Sequence, residues 1–556
     1  MNKLLSVLTV SALCTACGGQ DTPPHEQEHH EAVVVGSGYG GSVAALRLGL
    51  ANVETVVYEK GRRWDITDTS GDNNTFATYD SIVGVFGDSR SSWLRKNCVF
   101  TWLQFKSCDR IDTGIIEIMG ATPNKNDLSP AFSAHNTSIM AGVGVGGGSL
   151  VNNAETFPPT RAMWNMAYDI EAMPYLDNVW HDLSTTYFDR ANDVLQPEYI
   201  PEDILQSKHY ANSREHTQVM IDAGYPMIDP TDETVIKGSS HTPMIMDWDA
   251  VREEIDGQRT PSTINGDVWF GINSGAKNSL DKEQNYLGLA EATGSVQVHA
   301  LHTVTDIAYD SDKALYFVNI TKTDQDYNVI STLEVTTPKL IMAAGSIGTT
   351  KLLIAAKHQG GLPLLNEYLG TKWVNNGNGG TMRESQNDAD TDIFGGGGPA
   401  SIKTYDFEDP NAPINIQLLP LKTGDSTSLF TIVLGIPTGE GYFDYDEDGV
   451  INLHWPEDAS KNVYDRFEQV LTHIEELGLG SFSDTTHAIG QAITLHPLGG
   501  VPLGLATDEH CRLKGYDGLY AVDGSIIPGP SLANPSLLIA AMAERCMDTV
   551  LADMSQ

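Results

Sequence analysis

The sequence predicts an α/β fold made of two interleaved parts. Three observations carry that prediction: a βαβ unit near the start, a return of alternating strands and helices in the middle and at the end, and irregular, loop-rich stretches between them. Residues 31–68, 277–352 and 498–556 read as a Rossmann-like nucleotide-binding domain, and residues 69–276 and 353–497 as an α+β substrate domain on an antiparallel or mixed sheet. A chain of 556 residues has ample apolar content to bury both cores.

The chain begins with Met1-Asn-Lys3, an apolar run from Leu4 to Leu13, and Thr15-Ala16-Cys17-Gly18-Gly19. This is the three-part layout of a secretory signal over residues 1–17, and its apolar run is too short to span a bilayer as a helix. Export to the periplasm, the cell surface or the medium is therefore expected. Cys17 after small residues resembles the bacterial lipoprotein cleavage box, although Cys14 stands where an aliphatic residue is usual. Lipidation at Cys17 and plain cleavage both stay open, and attachment to a membrane is expected only through such a lipid.

Residues 18–30 read as a polar linker in which His25, His29 and His30 are a solvated spacer rather than a metal site, and no metal site is expected elsewhere. The 34 basic and 73 acidic side chains give a formal net charge of −39, which repels nucleic acid and anionic headgroups. Of the six cysteines, Cys98 and Cys108 would close a short loop in an oxidising compartment. Cys511 and Cys546 read equally well as a bridge or as two buried thiols.

The elements follow in order. Ala32 to Val35 is a β-branched strand, Gly36-Ser-Gly38-Tyr39-Gly40-Gly41 a turn, Ser42 to Leu50 a helix and Thr55 to Tyr58 the next strand. Gly36 permits the tight turn, Gly38 lets the backbone approach a pyrophosphate, and Gly41 allows close helix packing, with Tyr39 inside the same nucleotide-facing string. Glu59 closes the second strand, where a carboxylate accepts hydrogen bonds from ribose hydroxyls. Periodic order returns with a helix over Leu280 to Ala292 and strands at Val296 to Val298, Leu301 to Ile307 and Lys339 to Ala344, the last ending in a Gly345-Ser346 turn. Strand-like runs at Ile414 to Leu419 and Leu429 to Leu434 suit the substrate part. Leu519 to Val522 and a helix from Pro535 to about Ala552 finish the chain. Asp444-Tyr-Asp446-Glu-Asp448-Gly449 imitates half a calcium loop, but Trp455 stands at its twelfth position and a hairpin turn is the better reading.

These motifs resemble the glucose-methanol-choline (GMC) family of flavin oxidoreductases, and within it the non-covalent FAD cholesterol oxidases, from about residue 32 to the C-terminus. The resemblance rests on Gly36 to Gly41, Arg90-Ser-Ser-Trp93, Gly144-Val-Gly-Gly-Gly-Ser-Leu-Val-Asn152 and Ser279-Leu-Asp-Lys282. It continues through Ala344-Gly-Ser-Ile-Gly348, Asn376-Gly-Asn378, His496-Pro-Leu-Gly-Gly500 and Val522-Asp-Gly-Ser-Ile-Ile-Pro528 leading to Asn534-Pro535. It implies FAD as cofactor, with Glu59 on the adenosine ribose, Gly147, Gly148 and Asn152 along the cofactor, and Val304 beside the adenine. Asp523, Gly524 and Ser536 would lie near the ribityl chain and flavin, His496 would contact the substrate hydroxyl, and Asn534 would sit by the flavin edge.

The chemistry agrees with those assignments. Oxidising an alcohol to a ketone removes a hydride from carbon and a proton from oxygen, and His496 supplies a suitable hydrogen-bonding group for the hydroxyl. Asn534 as N-cap with Pro535 at the first helical position would start a helix whose N-terminus stabilises negative charge on a reduced flavin. One departure matters: the strand Ile414-Asn-Ile-Gln417-Leu-Leu-Pro420 places Gln417 where cholesterol oxidases carry a glutamate, and a neutral amide cannot shuttle a proton. Oxidation of a sterol or similarly bulky apolar secondary alcohol is therefore expected, with oxygen or a redox partner as acceptor. Isomerisation of a steroid double bond is not, although Gln417 could still orient the substrate hydroxyl. The alternatives are a related dehydrogenase acting on another alcohol with a non-oxygen acceptor, and a flavin-binding protein that has lost catalysis.

Overall fold

The computed structural model describes residues 25–64, 100–101, 104–105, 115–120, 128–229, 232, 236–259, 261, 263–265, 277, 279–384, 401–419, 428–482 and 494–555. The signal-like leader, Cys17, the Cys98 and Cys108 pair and the Arg90 to Trp93 motif lie outside the described residues.

A five-stranded, wholly parallel sheet carries the nucleotide-type half, in the order Val296–His299, Thr55–Tyr58, Ala32–Val35, Leu340–Met342, Leu519–Ala521. Its central strands are buried on both faces, which is why Ala32-Val-Val-Val35 reads as an unbroken apolar run. Helix α1 (Tyr39–Leu50) follows the central strand and is buried around most of its circumference. The long C-terminal helix, Ser536–Met554, packs beside it. Glu544, fully buried, accepts from Arg47 Nε at 2.5 Å, Arg47 Nη2 at 2.7 Å and Tyr286 OH at 2.8 Å, and so joins three helices at one charge-assisted knot.

The second large sheet is antiparallel throughout, in the order Ser481–Phe482, Gly379–Glu384, Ser428–Gly435, Ile414–Leu419, Ile402–Asp406, Lys237–His241. The amphipathic helix Lys461–Glu476 covers one of its faces with Val463, Phe467, Val470 and Ile474. A four-stranded sheet of His25–His29, Val329–Thr337, Leu315–Thr323 and His302–Asp310 flanks the parallel sheet.

Several local expectations change. Residues 25–29 are not the end of a linker but a strand paired in parallel with Thr332 to Thr336. His29 Nδ1 bonds Thr336 Oγ1 at 2.9 Å, and His30 lies between Glu54 and Glu28. The helix expected from Leu280 starts at Tyr286, because the Asn285 side chain accepts from the Tyr286 amide and caps it. Gly345-Ser346 is not a free turn: Gly345, at φ +81°, opens the helix Gly345–His358. At the C-terminus the helix N-cap is Pro535 rather than Asn534, whose side chain is engaged elsewhere. Asp446 Oδ1 accepts from the amides of Asp448 and Val450 within the hairpin joining Tyr442–Tyr445 to Ile451–His454, as the turn reading expects. Cys511 and Cys546 form a disulfide with Cα atoms 5.6 Å apart. Among the described residues no cluster of ligating side chains could hold a metal ion, and no helix is long and apolar enough to cross a membrane.

Candidate active site

The carboxyl ends of the parallel strands open onto a cavity of about 310 Å³ that runs from the glycine turn to the antiparallel sheet. Gly36, Gly38, Tyr39 and Gly40 form its first wall, and the unpaired amides at the start of α1 face it.

The glycines divide the labour. Gly36 sits at φ +98°, and a Cβ there would stand 2.4 Å from the Ala343 carbonyl oxygen. Gly41 does not line the cavity; a Cβ on it would lie 2.0 Å from the Gly36 carbonyl oxygen, so it packs helix onto turn. Gly38 is different, since the nearest atom to a Cβ would be Gly147 Cα at 3.9 Å, and nothing lies within 4 Å of one on Gly148. Both surfaces are bare backbone facing a cavity that a side chain would fill. That is the cradle a pyrophosphate needs, and FAD fits the residues present.

Glu59 lies at the mouth of the second strand, nearly buried. Its Oε2 accepts from Ser37 N at 3.1 Å and Ser37 Oγ at 2.7 Å, and its Oε1 from Gly61 N at 2.8 Å. Burial pushes its pKa up while those donors oppose the shift, and the carboxyl's remaining lone pairs face the cavity. Val304 lies along the same wall. Gly147, Gly148 and Asn152 come from the glycine-rich turn, where Asn152 Nδ2 donates to Tyr39 OH at 2.6 Å. Asp523 accepts from Gly345 N at 2.8 Å, Thr349 Oγ1 at 2.6 Å and Ser525 N at 2.9 Å. It thereby locks the loop after the last strand to the helix after the fourth. Gly524 and Ser536 line the cavity beside it.

His496 and Asn534 reach this cavity from two distant stretches of chain. Asn378 Oδ1 accepts from the Leu495 amide at 2.9 Å, and its Nδ2 lies 3.0 Å from His496 Nδ1. Nε2 is therefore the ring nitrogen left for a ligand. Burial, and then the Lys403 ammonium, push the His496 pKa down to about 3, so the imidazole is neutral at ordinary pH.

Gln417 is not a cavity residue, which corrects the expectation that it orients substrate directly. From its fully buried strand position it donates through Nε2 to Asn534 Oδ1 at 3.0 Å, leaving the Asn534 Nδ2 group to face the cavity. It is a positioning residue acting through Asn534. Leu419, two residues on, and Ile432, the cross-strand partner of Gln417, give the cavity an apolar wall on that side.

Sequence reasoning missed an ion pair here. Glu155 lines the cavity at 1 % exposure and bonds Lys403, which is 0 % exposed, while Asn153 Nδ2 donates to Glu155 Oε1 at 3.1 Å. Lys403 is the cross-strand partner of Gln417, and the Glu155 carbonyl accepts from Ser536 Oγ at 3.0 Å. The sequence signal was a lone acidic residue three places after Asn152; nothing local marks Lys403.

The fold and this cavity fit a class, the FAD-dependent oxidoreductases, and comparison with known proteins finds relatives in it. Residues 457–543, which contain His496, Asp523 and Asn534, match the family model described as GMC oxidoreductase. Within that class the chain is similar to cholesterol oxidase from two strains of Mycobacterium tuberculosis, at 26% identity over 600 aligned positions that cover 93% of this chain and 90% of each relative. In structure it resembles a pyridoxine 4-oxidase from Mesorbium loti, with a TM-score of 0.60 at 14% identity over 94% of this chain and 99% of that one. It also resembles a formate oxidase from Aspergillus oryzae, with a TM-score of 0.59 at 13% identity over 96% and 100% of the two chains. A fungal aryl-alcohol oxidase follows at 0.58 and 13%, over 95% and 99%. These solved structures share its fold.

Proposed function

We propose that the chain is an exported enzyme that oxidises the CH–OH group of a sterol, or a similarly bulky apolar secondary alcohol, to a ketone, with oxygen as acceptor and hydrogen peroxide as product. One observation carries the reading: His496 and Asn534 line the same cavity as the Gly36 to Gly40 turn. Bound FAD supplies the acceptor for the hydride released from the carbinol carbon. The α1 N-terminus and the bare backbones of Gly38, Gly147 and Gly148 would receive the pyrophosphate, Glu59 would accept from the ribose hydroxyls, and Val304 would pack beside the adenine. Asp523, Gly524 and Ser536 border the flavin end, where Tyr39 and Asn152 brace each other. The start of the Ser536–Met554 helix stabilises the negative charge that reduction brings.

His496 holds the substrate hydroxyl through Nε2, and Asn534, turned by Gln417, fixes the carbinol against the cofactor. The apolar wall of Leu419 and Ile432, with Met140 and Ile539 elsewhere in the lining, supports a bulky apolar substrate over a polyol. Because Gln417 is neutral and spent on Asn534, it moves no proton for double-bond migration. The signal-like leader supports export, as does the Cys511–Cys546 disulfide.

Anaerobic mixing of the purified yellow protein with a sterol, a long-chain alcohol and a sugar tests the reading. Fast bleaching by the sterol is expected. Bleaching by the sugar alone would move the substrate class, and bleaching by no alcohol would end the proposal. Whether the protein is recovered outside the cytoplasm of its host tests export.

A further inference from the structure

Every turnover of the proposed oxidation releases a proton as well as a hydride, and that proton needs somewhere to go. His496 is a poor resting place. Its ring is half-buried, Nδ1 is held by Asn378, and desolvation with the Lys403 ammonium pushes its pKa down. The carboxylates lining the cavity, among the described residues, are Glu59, Glu117, Glu155 and Asp523. Glu59, bonded to Ser37 and Gly61, lies beneath the ribose end, and Asp523, bonded to Gly345, Thr349 and Ser525, ties the loop after the last parallel strand to the helix Gly345–His358. Glu117 pairs with Lys60, next to Glu59 in the chain. Glu155 alone belongs to the same cluster as His496 and Asn534. Its partner Lys403 is the cation that acts on His496 and lies across the sheet from Gln417, which holds Asn534; its own carbonyl holds Ser536.

Resting on the alcohol-oxidation reading, we propose that Glu155 is the proton acceptor of this reaction and that Lys403 is the positioning residue that holds it in place. In the step, the substrate O–H bond breaks and its proton passes to Glu155. The C–H bond breaks with its electron pair going to the bound flavin, and the C=O bond forms. The substrate is oxidised, the flavin is reduced, and Glu155 ends neutral. Glu155 in this way fills the acid–base role that the amide of Gln417 cannot. The burial of the pair has a reason in this scheme: two buried charges are costly to keep for stability alone.

The test uses the holoenzyme in anaerobic stopped flow across a pH series. Glu155→Gln with Lys403→Met removes both charges together, so neither is left buried alone. It is expected to retain FAD, to reduce its flavin about 100-fold more slowly or worse, and to lose the acid limb of the rate profile. Lys403→Met alone is expected to move that limb to higher pH, because the carboxylate loses its cation. Should the variants fail to fold, the wild type decides: infrared difference spectra on substrate reduction should show a newly protonated carboxyl. Wild-type bleaching that survives unchanged in the double variant, or a spectrum without that carboxyl, overturns the assignment to Glu155 alone. A wild type that no alcohol bleaches overturns the oxidase reading itself.

Discussion

Replacing Gly38 by alanine is expected to separate holding the cofactor from holding the fold. Gly38 has φ −69° and ψ −166°, an extended conformation open to any residue, so alanine brings no backbone strain. The new Cβ would meet only Gly147 Cα, at an ordinary contact of 3.9 Å. The cofactor-free protein is therefore expected to gain about 0.4–1 kcal/mol from the stiffer unfolded chain. The same methyl group projects into the cavity where the backbone must approach the pyrophosphate, and overpacking of one such group costs about 1–3 kcal/mol. This corresponds to FAD binding weakened roughly 5- to 150-fold. Gly41→Ala gives the opposite result, because its Cβ would stand 2.0 Å from the Gly36 carbonyl oxygen and the apoprotein itself must deform. The assay pairs flavin-fluorescence titration of deflavinated protein with the thermal midpoint of the same sample. Unchanged FAD affinity in Gly38→Ala, or an apoprotein as damaged as that of Gly41→Ala, would refute the reasoning.

Other outcomes follow from the same geometry. His496→Ala should keep FAD but slow its reduction by alcohol by roughly 10²–10⁴-fold, and an unchanged rate in stopped flow removes His496 from the mechanism. Desolvation pushes the pKa of buried His216 and of half-buried His496 down to about 3, whereas an unfolded histidine protonates near 6.5. Between those values the unfolded chain binds more protons, so stability falls as pH drops from about 6.5 towards 3. Among the described residues neither ring nitrogen of His216 has a hydrogen-bond partner, so His216→Leu should flatten that fall in urea melts at pH 7 and pH 5, and an equal slope would contradict it. Breaking the disulfide, which joins residues 35 positions apart, with Cys511→Ser and Cys546→Ser should cost roughly 4 kcal/mol by loop closure. A midpoint insensitive to the double change would show that the bridge constrains little.

What was legible in the sequence was local. The first strand, the glycine turn, helix α1 and the second strand follow one another closely, and each has chemistry that only a few backbone conformations satisfy, so their order is as read. His496 and Asn534 were legible through the motifs around them. The pairing of Glu155 with Lys403 was not, because the partners are 248 residues apart and each sits in an unexceptional stretch. The strand His25–His29 was hidden for another reason: it has no apolar alternation and pairs through its backbone with an existing sheet edge. Asn534 misled as a helix cap because its sequence context fits capping, while Gln417, far away in sequence, takes its side chain oxygen. Gln417 misled in turn because a strand position fixes which face a side chain occupies but not how many layers separate it from a cavity.

The order of the parallel sheet has a consequence for biosynthesis. Leu340–Met342 receives its outer neighbour, Leu519–Ala521, only when nearly all of the chain has been made. Until then the ribosome-bound product exposes an unpaired strand edge and lacks the carboxylate of Asp523 that ties the two loops together. A premature stop anywhere before Leu519 thus leaves a sticky half-sheet rather than a smaller working protein, and cofactor loading becomes one of the last events in the molecule's maturation.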